Sequence, residues 1–307
     1  MYASYLYSAG ATAANILADV VAILTGETTV ANLSASCDKV NTAIDATATV
    51  AGWTSHDASA GTNAVCLKAA VPDNAAQFEY VVIDTNSVGY IYAKVYEGWN
   101  AGAHTGTNMA YLSATASSAQ RVNVAAGGRL EISASAYHIM IHSFQNGVHG
   151  SSGNTGACGC LARTRLSLCD TVAKGYPPFA FVQLGGFTTT NPAYSPRHPS
   201  ANGTDLVTTG ASLSMMYPFG NSSSSIATPP ESSIPIDDTM ATFGHMLLPF
   251  GVNKAAEGFM GGEFSSLCDI WVTTYKNGSF LDTLVFDSKT YVIWPALTNW
   301  RFAVRKG

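Results

Sequence analysis

Apolar residues recur with a helical period only near the start of the chain. The members of one predicted helical face, spaced i, i+3, i+4 and i+7, are Leu17, Val20, Val21 and Leu24. Gly26 follows as a C-terminal stop, so the pattern predicts a helix over Ala11 to Leu24. A weaker pattern, in which Val40 and Ile44 share a face, predicts a second helix over Ala35 to Ala46.

From Trp53 onward the apolar period shortens to that of β-strands. Short apolar runs are separated by clusters of Gly, Asn, Ser and Pro. These runs are Ala64 to Ala70, Phe78 to Ile83, Tyr90 to Trp99, Gln120 to Val124, Leu130 to Ala134 and Tyr137 to Phe144. Strands at this spacing predict a mainly β protein, with a β-sandwich domain over residues 51–145 behind a helical N-terminal segment over residues 1–50.

The stretch from Phe78 to Trp99 is the most strongly patterned part of the chain. Its two arms are separated by Asn, Ser and Gly within residues 86–89, which predicts a β-hairpin. In the second arm Tyr90, Tyr92 and Tyr96 share one face of the strand. Such a tyrosine stripe is typical either of a second packed layer or of a contact surface, and both interpretations stay open.

Residues 146–235 have the composition of loops. Gly and Ser dominate Asn146 to Gly159, and prolines recur through Phe187 to Pro235, with one strand pattern within Tyr176 to Gly186. We expect a loop-rich connection or insertion. A loop of this length is unusual in a compact domain unless it lies along a surface of its own domain or of a neighbour.

Residues 236–307 become regular again. Strand patterns cover Asp269 to Lys276, Ser279 to Phe286 and Lys289 to Trp294. Asn277-Gly278 lies between the first two strands and predicts a hairpin there. The region is therefore predicted to form a β-meander, which either completes the sandwich or makes a second small β-domain.

Composition indicates a protein that works in an assembly. Hydrophobic residues make up 47% of the chain but charged residues only 11%, less than half of the roughly 25% usual in soluble domains. A net charge of -5 with only 15 Lys and Arg argues against nucleic acid as a partner. The N-terminus lacks the features of a secretory signal and no apolar run is long enough to span a bilayer, so we expect synthesis in a cytoplasm and no membrane insertion. The six cysteines are then expected to be reduced thiols.

The chain contains no nucleotide-binding, zinc-protease or hydrolase motif, and no cofactor is expected. The sharpest candidate for chemistry is a metal site formed by His138, His142, Cys158 and Cys160. His138 and His142 would point the same way on a strand. The alternative is that they form the polar face of an ordinary half-buried strand, and Cys-x-Cys is not a usual zinc knuckle, so no metal ligand is assigned.

His56 and Asp57 form a second candidate, because an imidazole beside a carboxylate can act as a base. Adjacent strand residues point to opposite faces, so the two are expected to be badly placed to act together. The favoured interpretation is local, with Asp57 accepting hydrogen bonds from its own backbone in a turn.

Four segments carry a resemblance to a family. They are AGWTSHDASAGTNAVCLKA, FEYVVIDTNSVGYIYAKVYEGWN, HTGTN and TYVIWPALTNWRFAVRKG. In these segments the chain resembles virion structural proteins of tailed bacteriophages. The resemblance implies a tail or baseplate component of the virion, made in the host cytoplasm, and it brings no catalytic residues.

We therefore expect a structural, non-enzymatic protein that forms a homo-oligomer and contacts other virion proteins. The residues predicted to lie at contacts are Tyr2, Tyr5, Leu6, Tyr7, Tyr90, Tyr92, Tyr96, Pro192, Pro196 and Pro199. Two alternatives remain: a receptor-binding or fibre-attachment module that uses the tyrosine face and the Pro-rich loop, and a metal-dependent enzyme that uses the His and Cys cluster. The long loops are also open to a simpler role, that of capping their own domain.

Overall fold

The structure is a computed structural model of the 307-residue chain. It describes residues 1–7, 10–34, 37–44, 52–71, 74–85, 90–111, 122–123, 129–144, 158–163, 179–184, 214–217, 220–222, 247–248, 251–253, 269–273, 282–295 and 301–306.

These residues form one α-helix, one short 3-10 helix (Val30–Asn32) and 20 strands. The helix is α1 (Ala13–Leu24), and the strands of the first half are β1 (Tyr2–Tyr7), β2 (Cys37–Ile44), β3 (Thr54–Gly61), β4 (Ala64–Val71), β5 (Asn74–Asp84), β6 (Tyr90–Asn100), β7 (Thr105–Tyr111), β8 (Val122–Asn123), β9 (Arg129–Ser135) and β10 (His138–Phe144). The remaining strands are β11 (Cys158–Arg163), β12 (Phe179–Leu184), β13 (Ser214–Tyr217), β14 (Gly220–Ser222), β15 (Leu247–Leu248), β16 (Gly251–Asn253), β17 (Ile270–Thr273), β18 (Thr283–Phe286), β19 (Lys289–Pro295) and β20 (Arg301–Arg305).

The strands form four sheets. Sheet 1 has the order β12-β11-β10-β9-β1-β2, and sheet 2 has the order β3-β4-β5-β6-β7 with β8 also on β6. Sheet 3, from the C-terminal part, has the order β15-β17-β20-β19-β18, and sheet 4 is the small β14-β13-β16 group. The prediction of a mainly β fold with one short helical segment near the N-terminus is confirmed.

Sheets 1 and 2 share one hydrophobic core with α1. Sheet 1 contributes Ala3, Leu130, Ile132, Ile139 and Ile141, sheet 2 contributes Leu67, Val81, Ile83 and Ile91, and the helix contributes Ile16, Leu17, Val20, Ile23 and Leu24. Burying one such aliphatic side chain contributes about 1.5–3 kcal/mol, so this core is the main source of stability in the first half of the chain.

Capping residues fix the limits of α1. Asn15 N donates to the Thr12 hydroxyl at 3.2 Å and Thr12 N donates to Asn15 Oδ1 at 3.3 Å, which forms a capping box in front of the first helical residue. At the other end Glu27 N donates to Ala22 O at 2.9 Å, and Gly26 has a positive φ of 104°. The predicted helix and its glycine stop are confirmed, with the start two residues later than predicted.

The second predicted helix is wrong. Residues 37–44 form β2, which pairs antiparallel with β1 through Ala3↔Ile44 and Tyr7↔Cys37. Val, Thr, Asn and Asp have low helix propensity, and pairing with an already ordered strand outweighs the weak helical period.

The N-terminal segment is not a separate helical unit. β1 lies between β2 and β9, where Ala3 pairs with Ile132 and Tyr5 with Leu130. β1 and β2 therefore share a sheet with β9 and β10, because β1 pairs with β9 on one side and with β2 on the other.

Two hairpin predictions have opposite outcomes. β5 and β6 pair as predicted, with Tyr80 opposite Tyr96 and Ile83 opposite Ala93. β17 and β18, in contrast, are not neighbours: β17 pairs with β15 and β20, whereas β18 pairs with β19. Asn277-Gly278 itself lies outside the described residues, but the predicted pairing of the strands on its two sides is wrong for β17 and β18. The described part of the meander is β18-β19-β20.

Much of the predicted loop region lies outside the described residues, including Pro192, Pro196 and Pro199. Within it the structure has strands β11, β12, β13 and β14. β12 falls inside the predicted Tyr176 to Gly186 strand, whereas β11, β13 and β14 have no counterpart among the predicted strands. Among the described residues no helix is both long enough and apolar enough to cross a membrane.

Candidate functional site

A carboxylate cluster on the outer face of sheet 2 is the strongest candidate site. Asp57 Oδ2 accepts hydrogen bonds from Trp99 Nε1 at 2.9 Å and lies 2.8 Å from His104 Nδ1. Asp57 Oδ1 accepts from Ser59 N at 3.0 Å and from Ser59 Oγ at 3.1 Å. Four partners thus surround one buried carboxylate, which leaves it little capacity for a further ligand.

The curvature of sheet 2 makes this cluster possible. Asp57 is on β3, whereas Trp99 is on β6 and His104 follows it, and two strands lie between β3 and β6. The pairing of β3 with β4 is interrupted by register shifts on both sides of Asp57. Bulges of this kind bend a strand and increase its twist, which is consistent with Asp57 of β3 reaching Trp99 on β6.

Hydrogen bonding keeps the Asp57 carboxylate ionised. Burial raises the pKa of Asp57, but hydrogen bonds from His104, Trp99 and Ser59 outweigh it and hold that pKa well below its usual range. The carboxylate is therefore ionised at neutral pH, so the His104 Nδ1–H donates to it. In the neutral ring Nε2 then carries the lone pair, and the structure gives Nε2 no hydrogen-bond partner among the described residues.

The two side chains of the Asp57 and His104 pair differ in their exposure to solvent. The Asp57 side chain is 3% exposed and the His104 side chain 45% exposed. His104 also has a positive φ of 53°, in the turn where Asn100 Oδ1 accepts from Gly102 N and Ala103 N. An imidazole of fixed tautomer, half exposed and oriented by a carboxylate, can accept a proton or a hydrogen bond from a bound molecule.

Aromatic and apolar side chains adjoin the pair. The rings of Tyr96 and Trp99 meet edge to face with centroids 5.1 Å apart, and both pack against a small cluster around buried Cys66 and Val82. A Cβ on Gly106 would overlap the Tyr96 ring, so glycine is needed there. Tyr96 thus belongs to a second packed layer on the outer face. The side chains of Tyr90 and Tyr92 are outside the described residues.

Burial makes Cys66 unreactive. Burial, together with the nearby charge of Asp57, raises the pKa of the Cys66 thiol to about 12. A thiol with such a pKa is protonated at neutral pH, so Cys66 is a packing residue of this cluster and not a nucleophile.

The prediction for His56 and Asp57 needs a correction. The bulge between Ser55 and Asp57 breaks the alternation of faces, and the His56 ring lies 5.1 Å from the ring of Tyr80 in the same outer cluster. Both side chains are therefore on one face, contrary to the prediction. The histidine that contacts Asp57 is nevertheless His104, and the predicted local bond from the backbone is present as Ser59 N to Asp57.

A second polar cluster lies between sheets 1 and 3. Glu131 accepts from the Tyr2 hydroxyl at 2.6 Å and from the Ser4 hydroxyl at 2.8 Å. Trp294 Nε1, from β19, donates to the Tyr2 oxygen at 3.0 Å. Tyr2 is only 4% exposed, so the structure places it inside the chain and not at the contact surface that was predicted for it. The side chains of Tyr5, Leu6 and Tyr7 are outside the described residues.

The predicted metal-site histidines lie on this same polar face. His138 Nε2 is 2.9 Å from Ser133 Oγ and Nδ1 is 3.0 Å from Ser135 Oγ, so serines occupy both ring nitrogens. The His142 ring is fully buried and meets the Trp294 ring edge to face at 5.7 Å. The polar face is therefore buried beneath sheet 3, whereas a half-buried strand was expected.

The cysteines of the predicted metal site are on the neighbouring strand. The register of β10 and β11 places Cys158 opposite His142 and Cys160 opposite Met140, while the side chains of both cysteines are outside the described residues. Among the described side chains no group of three or more His, Cys, Asp or Glu residues is placed to hold a metal ion.

A third carboxylate joins the strands of sheet 3. Asp269 Oδ1 accepts from Trp271 Nε1 at 2.9 Å and from the Tyr291 hydroxyl at 2.8 Å. Asp269 Oδ2 accepts from Lys289 Nζ at 3.1 Å and from Arg305 at 3.0 Å. Burial raises the pKa of Asp269, but these donors outweigh it and lower that pKa overall.

Two of these clusters were missed because their partners are far apart in the sequence. Asp57 and His104 are separated by 47 positions and Asp269 and Arg305 by 36. The one available signal was that Asp57, Trp99, His104 and Tyr291 all fall in the segments that carry the resemblance. Comparison with protein-family models and with curated proteins gives no match for this chain.

Proposed function

We propose that this protein is a structural component of a bacteriophage virion, a tail or baseplate protein that assembles with copies of itself and with other virion proteins. The observation that carries the proposal is the use of the carboxylates Asp57, Glu131 and Asp269. Each binds at least one side chain from a different strand or turn of its own chain. Carboxylates occupied in this way stabilise a sheet and are poorly available as general acids, nucleophiles or metal ligands.

The segments that resemble virion proteins support the same proposal. Asp57 and His104 lie in AGWTSHDASAGTNAVCLKA and HTGTN, while Tyr291, Trp294 and Arg305 lie in TYVIWPALTNWRFAVRKG. These residues make hydrogen bonds that join separate strands. A resemblance that includes residues joining separate strands, and that brings no catalytic residues, favours a structural role over a catalytic one.

The low charge content gives the second line of support. With 11% charged residues, a monomer would present a surface that depends on Ser, Thr, Asn and Gly for solubility. Repeated contacts in a closed ring or in a larger particle would cover part of that surface, and many modest contacts would add up to a stable assembly.

Native mass spectrometry of the purified chain, with negative-stain microscopy, tests the oligomer. We expect a closed homo-oligomer. We also expect mass spectrometry to find peptides of this chain in gradient-purified phage particles that carry its gene. A monodisperse monomer whose peptides are missing from those particles would overturn the proposal.

A receptor-binding role is the second candidate, and the half-exposed His104 beside Trp99 and Tyr96 favours it. An oriented imidazole next to aromatic rings suits a ligand that carries hydroxyl groups, such as a host glycan. Binding to a glycan array, lost in His104→Ala and kept in the surface variant Asp287→Asn on sheet 3, would support this role. Binding that is equal in both variants, or absent from the wild type, would count against it.

A further inference from the structure

β18 is the outer strand of sheet 3, and among the described residues no strand pairs with its free side. Its side chains are unusually apolar for such a position: Val285 is 68% exposed and Phe286 48% exposed. Natural edge strands are normally protected by lysine, proline, a bulge or a covering segment. Residues 283–286 contain neither lysine nor proline, and their pairing with β19 has no register shift.

The backbone of β18 offers free hydrogen-bonding groups at two positions. Ile293 N donates to Asp282 O at 2.9 Å, so Asp282 directs its backbone toward β19. Residues of an antiparallel strand alternate in this respect, so Thr283 and Val285 direct their N–H and C=O groups away from β19. Thr290, opposite Val285, agrees with this alternation because its carbonyl accepts from Lys306 N at 2.8 Å on the β20 side.

The turn after β18 holds this edge in a fixed shape. Asp287 and Ser288 both have positive φ, 49° and 60°, and Phe286 pairs with Lys289 across them. Two residues with positive φ are the feature of the type I′ turn, whose twist matches that of the strands it joins. Lys289 is further held by its ion pair with Asp269 at 3.1 Å. A strand that is already ordered loses little entropy when another strand binds to it.

Charge decides which strand fits this edge. Asp282 precedes β18 and Asp287 follows it, so both ends of the strand are acidic. Pairing with β18 of a second copy, in either direction, would bring the acidic end of one strand to an acidic end of the other. A strand with a basic residue at each end would instead be attracted at both ends.

We propose that β18 receives a β-strand from a different protein chain: an extended segment of alternating apolar residues with Lys or Arg at each end. The strand adds to sheet 3 through the backbone groups of Thr283 and Val285 and covers the exposed Val285 side chain. Its basic ends lie near Asp282 and Asp287. The inference that this strand comes from another virion protein rests on the assembly function proposed above. The inference about its apolar pattern and basic ends rests on β18 alone.

Fluorescence anisotropy with the full chain tests the chemistry. The probe is a fluorescein-labelled peptide KTVTVK, compared with ETVTVE and with KTVTVK whose backbone is N-methylated on the edge that would pair. We expect KTVTVK to bind about tenfold or more tightly than ETVTVE, with a difference that shrinks as salt is added. N-methylation should abolish binding, because it removes backbone hydrogen bonds without changing the protein.

Variants locate the site. Val285→Pro removes an outward N–H and should lose binding, and Asp282→Asn with Asp287→Asn should remove the preference for the basic peptide. Phe78→Ser, at an exposed phenylalanine of sheet 2, is the matched control and should bind like the wild type. If Val285→Pro proves unfolded by circular dichroism, the N-methylated peptide still decides the question.

The outcomes test strand binding by β18 separately from the assembly function. Equal binding of the basic and acidic peptides, or full binding of the N-methylated peptide, would overturn the role of β18 even if the chain is found in phage particles. Specific binding of KTVTVK by a chain that stays monomeric and is missing from particles would support β18 and overturn the assembly function.

Discussion

The Asp57 cluster of sheet 2 and the Asp269 cluster of sheet 3 each hold an ionised carboxylate among several donors, but they differ in their exposure to solvent. Each carboxylate accepts from an indole N–H and has four side-chain or backbone donors around it. The Asp57 side chain is 3% exposed, whereas the Asp269 side chain is 26% exposed. Among the described residues a histidine is the only ionisable partner of Asp57, while Asp269 has Lys289 and Arg305.

The difference shows how burial determines what a hydrogen-bond or ion-pair partner contributes to the free energy of unfolding. A buried carboxylate is stabilised by short, fixed hydrogen bonds. If the carboxylate is removed, its donors stay buried without an acceptor, because water does not reach them. A partly exposed carboxylate with two cations is screened by solvent, and water can take the place of a missing partner. The Asp57 cluster is therefore expected to contribute more to folding stability than the Asp269 cluster, although the latter has more formal charge.

The largest effect is expected from Asp57→Ala. Because the substitution leaves Trp99 Nε1 and Ser59 N without their acceptor, the free energy of unfolding should fall by about 3 kcal/mol. Urea unfolding followed by tryptophan fluorescence measures it. Asp269→Ala should cost about half as much, and the exposed turn variant Asp287→Asn should cost almost nothing. Equal losses at Asp57 and Asp269 would refute the comparison.

The buried His138 should make stability depend on pH. Burial, with the charge of the N-terminus, lowers its pKa from 6.5 to about 3, while Asp269 opposes the shift. Between these two values the unfolded chain binds a proton that the folded chain does not, so stability falls as the pH falls below 6.5. The slope is at most about 1.4 kcal/mol per pH unit for one group. Urea midpoints across this range measure it, and His138→Gln should flatten the curve, whereas His56→Gln should not.

Tyr2→Phe should have an intermediate effect. The hydroxyl donates to Glu131 and accepts from Trp294, so its loss weakens the link between sheets 1 and 3 by about 1.5 kcal/mol. A double-mutant cycle with Trp294→Phe measures the coupling by urea unfolding. Strictly additive effects of the two substitutions would show that the Tyr2 to Trp294 bond contributes nothing.

The smallest effect is expected from Lys289→Met. Its side chain is 42% exposed and the pair with Asp269 is screened, so the loss should be about 0.5 kcal/mol at low salt. At about 1 M NaCl, where the screening length is roughly 3 Å, the loss should vanish. Thermal melts at both salt concentrations measure it. The loss in Asp57→Ala should be the same at both, and a salt effect on that variant would contradict the assignment of its stability to hydrogen bonds.

Local patterns in the sequence predicted those elements whose structure is decided locally. The spacing of Leu17, Val20 and Leu24 and the stop at Gly26 gave α1, and the aromatic and β-branched runs gave β5 and β6. These patterns succeed because one buried face imposes its period on neighbouring residues.

Elements that depend on distant partners were not predictable in this way. Residues 37–44 became a strand because β1 was available for pairing, and the strand before Asn277-Gly278 paired with β20 instead of its neighbour in sequence. The Asp57 to His104 contact required a bulge in β3 and a curled sheet, and neither has a sequence pattern that was recognisable beforehand.

The position of β1 has a consequence for the order of folding. Tyr2 binds Glu131 across 129 positions, and Trp294 binds Tyr2 across 292 positions. Sheet 1 cannot close around β1 until the ribosome has released residues 129–135, and its polar face stays open to water until β19 arrives. Long-range pairing of this kind slows folding and prolongs the exposure of unpaired strands. During most of its synthesis the nascent chain would therefore have an incomplete sheet 1 with unpaired strands, which are the kind of surface that chaperones bind.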